Sequence, residues 1–277
     1  MLPVRQQPVE VVAPSEPPLA SMRWLLQLSF AVMAAAVAWR GMIHGDSVFS
    51  FLFLFRGWSE RAAMGLVDGA GVALLVSAVA MQFRRGWPAL IFVSLWMAAL
   101  AAASMCDQPA TAALVPGTHA IRVLAPLALV VLARSPDRPV SRSRVRVAIA
   151  ILRLTAAATF VCHGLQALTY QPAFLDYLFG LGIRLGVAVP QELAEHTLVV
   201  IGGADIAVGS LLLFAPLGWR VRVALYMSAW GMVTALARTV HSGYDGLCGT
   251  AQRLPHAAVP LALFLYWRWV DRPRTGT

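Results

Sequence analysis

The sequence predicts an all-α, polytopic transmembrane protein made of two tandem four-helix bundles, eight spans in all, with both termini in the cytoplasm. Three observations predict it: an apolar composition, apolar runs of span length at regular intervals, and an internal repeat. Hydrophobic residues make up 59% of the chain, charged residues only 13%, and mean hydropathy is +0.69. A soluble core of 277 residues does not need that balance, so lipid is part of the solvent. All 22 basic residues are arginines, and a net charge of +9 would suggest nucleic acid for a soluble protein. Here most arginines flank apolar runs, where they set topology, so the expected partner is membrane lipid and not nucleic acid.

Residues 1–21, proline-rich and without apolar periodicity, read as a disordered cytoplasmic tail with no cleavable signal. The first repeat covers 22–139, with apolar runs at about 24–43, 62–82, 87–105 and 118–133. A basic linker, 140–146, leads to the second repeat, 147–277, with runs at about 147–168, 197–216, 221–238 and 256–270 and a short cytoplasmic tail. Most approach the roughly 20 residues that cross a bilayer core; the fourth and eighth are short. Fourteen arginines, among them the linker set Arg142, Arg144 and Arg146, fall on one side of these runs, and only Arg56, Arg61, Arg184, Arg238 and Arg253 on the other. The first side is therefore expected to be cytoplasmic, in a bacterial inner membrane. Tryptophans such as Trp24, Trp87 and Trp219 sit near run ends, as interfacial anchors do.

Laying Ser94 on Ser228 superimposes the last two runs of the halves, with twelve identities between positions 94–139 and 228–273. Ser94 and Trp96 fall on Ser228 and Trp230, Pro126–Leu129 on Pro260–Leu263, and Arg134, Asp137, Arg138, Pro139 on Arg268, Asp271, Arg272, Pro273. The polar matches beyond the apolar runs exclude a hydropathy artefact. With small offsets, GLVDGAGVALL (65–75) lies over GGADIAVGSLL (202–212), and AWRGM (38–42) over VCHGL (161–165). Each copy holds an even number of spans, so the repeats are parallel. The glycines of both segments are expected to let helices of one copy approach closely.

The second copy, through ILRLTAAATFVCHGLQAL (151–168) and IGGADIAVGSLLLFAPLGWRVRVALYMSAW (201–230), resembles the DoxX-like family of four-helix membrane proteins. Arg153, His163, Gly164 and Asp205 carry the resemblance. Asp205 stands where that family usually has glutamate, and the first copy departs further, with Phe30 opposite Arg153 and Arg40 opposite His163. The resemblance implies a membrane component of a quinone-linked oxidoreductase system, a quinone as cofactor and a partner redox protein or complex.

Ionisable residues inside a bilayer are costly, about 2.5–3.5 kcal/mol each, and persist for a reason. Arg40, Asp68 and Arg122 form one such trio, and His163, Asp205 and His256 occupy the aligned positions of the other. The second trio is expected to converge in the outer half of the membrane, where imidazoles exchange protons and a carboxylate orients them. His163, Asp205 and His256 are the candidate catalytic residues; Arg153, Arg40, Asp68 and Arg122 are the candidate cofactor-binding residues. The alternative is charge-neutralising glue, Asp68 pairing with Arg40 or Arg122 and Asp205 with a histidine. All six histidines lie on the outer side or in the outer half. No HxxH, HxH or CxxC spacing occurs, so no metal site is predicted. Cys106 and Cys248 lie in corresponding outer loops, either disulfide-linked or unpaired, and Cys162 is a buried packing residue or a thiol beside His163. Two other functions stay open: a non-catalytic assembly or maturation factor for a redox enzyme, and a transporter, for which no paired interrupted spans are evident.

Overall fold

The computed structural model describes residues 19–83, 85–107, 109–133 and 140–270. The tail at 1–18 and the RxxDRP motif at 134–139 lie outside the described residues. The described residues are mostly helical, with no strands among them. In the first copy α1 is Leu19–His44, α2 Ser47–Ser50 running into a π-turn Phe51–Phe55, α3 Glu60–Ala80, α4 Trp87–Asp107, a 3-10 segment Pro109–Leu114, α5 Val115–Thr118 and α6 Ala120–Leu132. In the second, α7 is Arg142–Leu168, α8 Pro172–Leu185, α9 Gln191–Phe214, α10 Leu217–Ser242, α11 Tyr244–Ala251 and α12 Leu254–Val270.

Local chemistry sets the boundaries. Asp46 caps α2 by accepting from Val48 N and Phe49 N at 2.9 and 3.0 Å, Ser59 caps α3 and Ser141 caps α7. Gly186, at φ 69°, closes α8 in the left-handed conformation. Pro216, at the cap of α10, leaves only Ala215 and itself between α9 and α10.

Seven segments are long and apolar enough to cross a membrane, so the chain is a multi-pass membrane protein. The fourth, Pro109–Leu132, is not one helix. Proline at 109 and 116 and glycine at 117 break it into the 3-10 segment, α5 and α6, with His119 at the last joint. α12 has 17 residues, about 25 Å of helix, and falls short of a full bilayer core.

The helices of the two copies recur in register. α6 and α12 begin at matching positions of the repeat, Ala120 and Leu254, and Pro126 and Pro260 are each the seventh residue of their helix and buried. α1 packs on α3 as α7 packs on α9, and α4 on α6 as α10 on α12. Across the copies α6 packs along α7 and α12 along α1. One apolar core therefore runs through both, from Phe30 and Leu74 through Ile121 and Leu152 to Met227 and Leu263.

The tightest crossing is α7 on α9. A Cβ on Gly164 would stand 2.6 Å from the Gly202 carbonyl oxygen, and one on Gly202 2.7 Å from that of Gly164. These two glycines let the backbones touch, as small residues do between membrane helices. In the first copy only Gly71 of the corresponding stretch makes such an approach, against Met42 and the Ala38 carbonyl; Gly65 and Gly69 meet nothing within 4 Å. The outward faces of the long helices carry large apolar side chains, including Val72, Val76 and Val79 on α3 and Val200, Leu211 and Phe214 on α9.

Candidate functional site

A cavity of about 220 Å³ lies within the second copy, walled by α7, α8, α9, α10 and the start of α12. α8 falls between the apolar runs of the sequence, yet it carries a signal of its own. Phe174, Tyr177, Leu178 and Leu181 recur at helical i, i+3, i+4, i+7 spacing, and all four line the cavity. The remaining wall is mostly apolar and aromatic, including Phe160, Leu198, Ile201 and Trp230.

His163, Asp205 and His256 all reach this cavity, from α7, α9 and α12. The two imidazoles lie 5.9 Å apart between ring centres, and His163 also sits 6.0 Å from the Phe174 ring. Asp205 and His256 are 7% and 5% exposed. Gln166 Oε1, one helical turn on, accepts from His163 Nδ1 at 3.2 Å. That places the proton on Nδ1 and leaves the Nε2 lone pair without a partner. Both ring nitrogens of His256 and Oδ1 of Asp205 are likewise buried and unpartnered. Such groups cost roughly 1–3 kcal/mol each when unsatisfied. Four such atoms belong to side chains that line one cavity.

Basic residues of the first copy come to the same place. Arg122 lies within electrostatic range of His163, His256, Arg238 and Arg253, and His119 within range of Arg122 and Arg253. Residues 119–122 read HAIR and residues 253–256 read RLPH. With the repeats aligned, histidine and arginine exchange places between the copies, so the starts of α6 and α12 present one of each to a shared centre. Arg238 and Arg253 line the cavity themselves. Arg238 donates from Nη1 to the Thr234 carbonyl at 3.0 Å and stacks 4.8 Å over the Tyr177 ring, and its stem presses on Gly249. Arg238, Arg253, Tyr177 and His119 lie outside the set of sequence candidates. Hydropathy places the two arginines at span ends, where they read as outer-side charges. The HAIR/RLPH correspondence is the signal that could have found Arg253.

The other candidates lie elsewhere. Asp68 is exposed on α3, and among the described residues no ion pair joins it to Arg40 or Arg122. Its alignment with Asp205 does not survive in three dimensions. The buried positions Val67, Gly71 and Leu74 of α3 answer to Asp205, Gly209 and Leu212 of α9. Val67, and not its neighbour Asp68, is therefore the spatial counterpart of Asp205. One residue is about 100° of helix rotation, which turns Asp68 away from the core. Arg40 lies near Arg238 but does not line the cavity. Arg153 donates from Nε to the Leu212 carbonyl at 3.0 Å and from Nη2 to that of Leu213, so it caps the end of α9. Ten residues separate it from His163 on α7, about 15 Å along the axis.

All three cysteines are free. Cys162 Sγ lies where a side chain on Gly117 would sit, so it packs α7 against α5. Among the described residues no group of three or more histidine, cysteine, aspartate or glutamate side chains is placed to hold a metal ion.

Fold and site thus define a multi-pass helical membrane protein with a cavity lined by histidine, arginine and carboxylate side chains. No known family model, curated protein or solved structure matches the chain.

Proposed function

We propose that this chain is an eight-span membrane component of a quinone-linked oxidoreductase system in a bacterial cytoplasmic membrane, with α12 as the eighth span, both termini cytoplasmic and the cavity as the quinone head-group site. The observation that carries the reading is the set of unpartnered atoms on an aromatic wall: His163 Nε2, both nitrogens of His256 and Asp205 Oδ1. A head group with carbonyls or hydroxyls on a flat ring meets both requirements, stacking on Phe160, Phe174 or Trp230 and satisfying the polar atoms. A bound quinone would supply two-electron, two-proton redox chemistry there, with electrons from a partner redox protein. His163 holds its proton on Nδ1 through Gln166 and offers Nε2 as a base. His256 offers one donor and one acceptor, and Asp205, hydrogen-bonded to Trp230, offers Oδ1 from the α9 wall. The DoxX-like motif residues His163 and Asp205 agree with this role, and Arg153 serves the scaffold.

Purified protein, extracted for quinone and assayed for quinone-dependent turnover, tests the reading. His163→Ala and His256→Ala should each lower turnover by about 100-fold or more with the unfolding temperature held. Unchanged turnover in both overturns it. A stable complex with a partner enzyme, with no extractable quinone and no turnover, establishes the assembly-factor reading instead.

A further inference from the structure

A guanidinium taken out of water needs an opposite charge or a full set of acceptors, since otherwise its desolvation is uncompensated. Arg122, Arg238 and Arg253 converge beside His163 and His256 from the start of α6, the end of α10 and the α11–α12 turn, Arg238 and Arg253 on the cavity wall. Arg238 is 9% exposed, and Nε of Arg122 is buried without a partner. The charged neighbours of all three are one another, Arg40 and the histidines, and Arg238 also hydrogen-bonds Tyr177. No carboxylate among the described residues faces them. Asp205, on the same cavity wall, has Trp230 and Tyr226 as its neighbours.

Three guanidiniums are thus held together against their own repulsion, two on the cavity wall and one behind it. Planar guanidinium forks match tetrahedral oxyanions, and charge-assisted bonds to them are about twice as strong as neutral ones. A single carboxylate would leave most of the positive charge unbalanced. Leu178, Leu181, Leu198 and Ile201 line the same cavity and suit an acyl chain.

We propose that Arg122, Arg238 and Arg253 form a phosphate-binding subsite of the cavity, taking a phosphate group either free from the aqueous side or on a phospholipid. The proposal does not rest on the quinone reading, because it is read by phosphate binding and unfolding temperature, without quinone or turnover.

The test uses full-length protein, delipidated in an uncharged detergent. Inorganic phosphate should raise Tm saturably, by about 5 °C, where chloride at matched ionic strength does not. Arg253→Gln should behave in two ways that a structural arginine would not: a higher Tm than wild type without phosphate, because an uncompensated charge is gone, and at least tenfold weaker phosphate binding. If Arg253→Gln does not fold, Arg122→Gln carries the same pair of expectations. Mass spectrometry before delipidation separates the sources. Phospholipid retained by wild type and lost in the variant identifies a lipid phosphate, and phosphate binding without retained lipid identifies the free anion. A wild-type response to phosphate no larger than to chloride overturns the proposal. So does a variant with lowered Tm and an intact phosphate response, or failure of both variants to fold.

Discussion

The α1–α3 and α7–α9 crossings are equivalent pairs in the two copies, and they differ by one residue of helix register. In α9 the inward positions include Gly202, Asp205 and Gly209; in α3 they include Val67 and Gly71, while Gly65 and Asp68 face outward. A turn of about 100° separates a copy that carries a buried carboxylate beside a cavity from one whose carboxylate is exposed. The connection after the first span differs in the same sense. The first copy crosses from α1 to α3 through α2 and a π-turn, whereas the second inserts the longer α8, whose inner face completes the cavity. A duplicated fold thus acquires a single site through a register slip and a longer connection, with no change in which helices pair.

The register difference is tested most sharply by Val67→Asp, which puts a carboxylate at the α3 position matching Asp205 in space. Buried and packed against Gly41, it should lower stability by about 3 kcal/mol or more in thermal unfolding, and a neutral result breaks the assigned register. The glycines come next. Gly202→Val forces a side chain against the Gly164 carbonyl and Leu168, and should cost about 1–3 kcal/mol by overpacking. Gly65→Val, aligned with it in sequence, should stay within about 0.5 kcal/mol, and equal effects would make the two crossings alike. Arg153→Ala removes the guanidinium that caps α9 and should cost about 1–2 kcal/mol, with quinone binding unchanged in the folded fraction; weakened binding at full stability would move Arg153 to the site. Phe30 is buried in the first copy opposite Arg153 in sequence, and there the end of α3 is met instead by Gln27 Nε2 of α1, which donates to the Met81 carbonyl at 2.8 Å. The smallest effect is that of Asp68→Leu. On an exposed face it should hold or raise Tm and leave ligand binding untouched, whereas Asp205→Leu should weaken binding.

Much of this was legible in sequence because the relevant forces are local or periodic. Apolar runs marked the long helices, since a span must satisfy its backbone internally and so announces itself in composition. The repeat anticipated the matching starts of α6 and α12, and the polar outliers His163, Asp205 and His256 pointed to three walls of one cavity. α8 escapes a hydropathy reading because a short amphipathic helix resembles a loop beside full-length spans. The DoxX-like resemblance named motif residues and left their surroundings open.

The sequence by itself determined the solvent, the helices and the duplication, because hydropathy and residue identity are properties of the chain read one position at a time. Only the tertiary structure decided which polar groups meet. Helix rotation and packing between copies are set by side-chain fit summed over whole interfaces, and one residue of slip changes every partner while leaving the pattern of apolar residues almost intact. That is why Asp68 and Asp205 align in sequence and part in space, and why Arg122, written in the first copy, lies beside the histidines of the second.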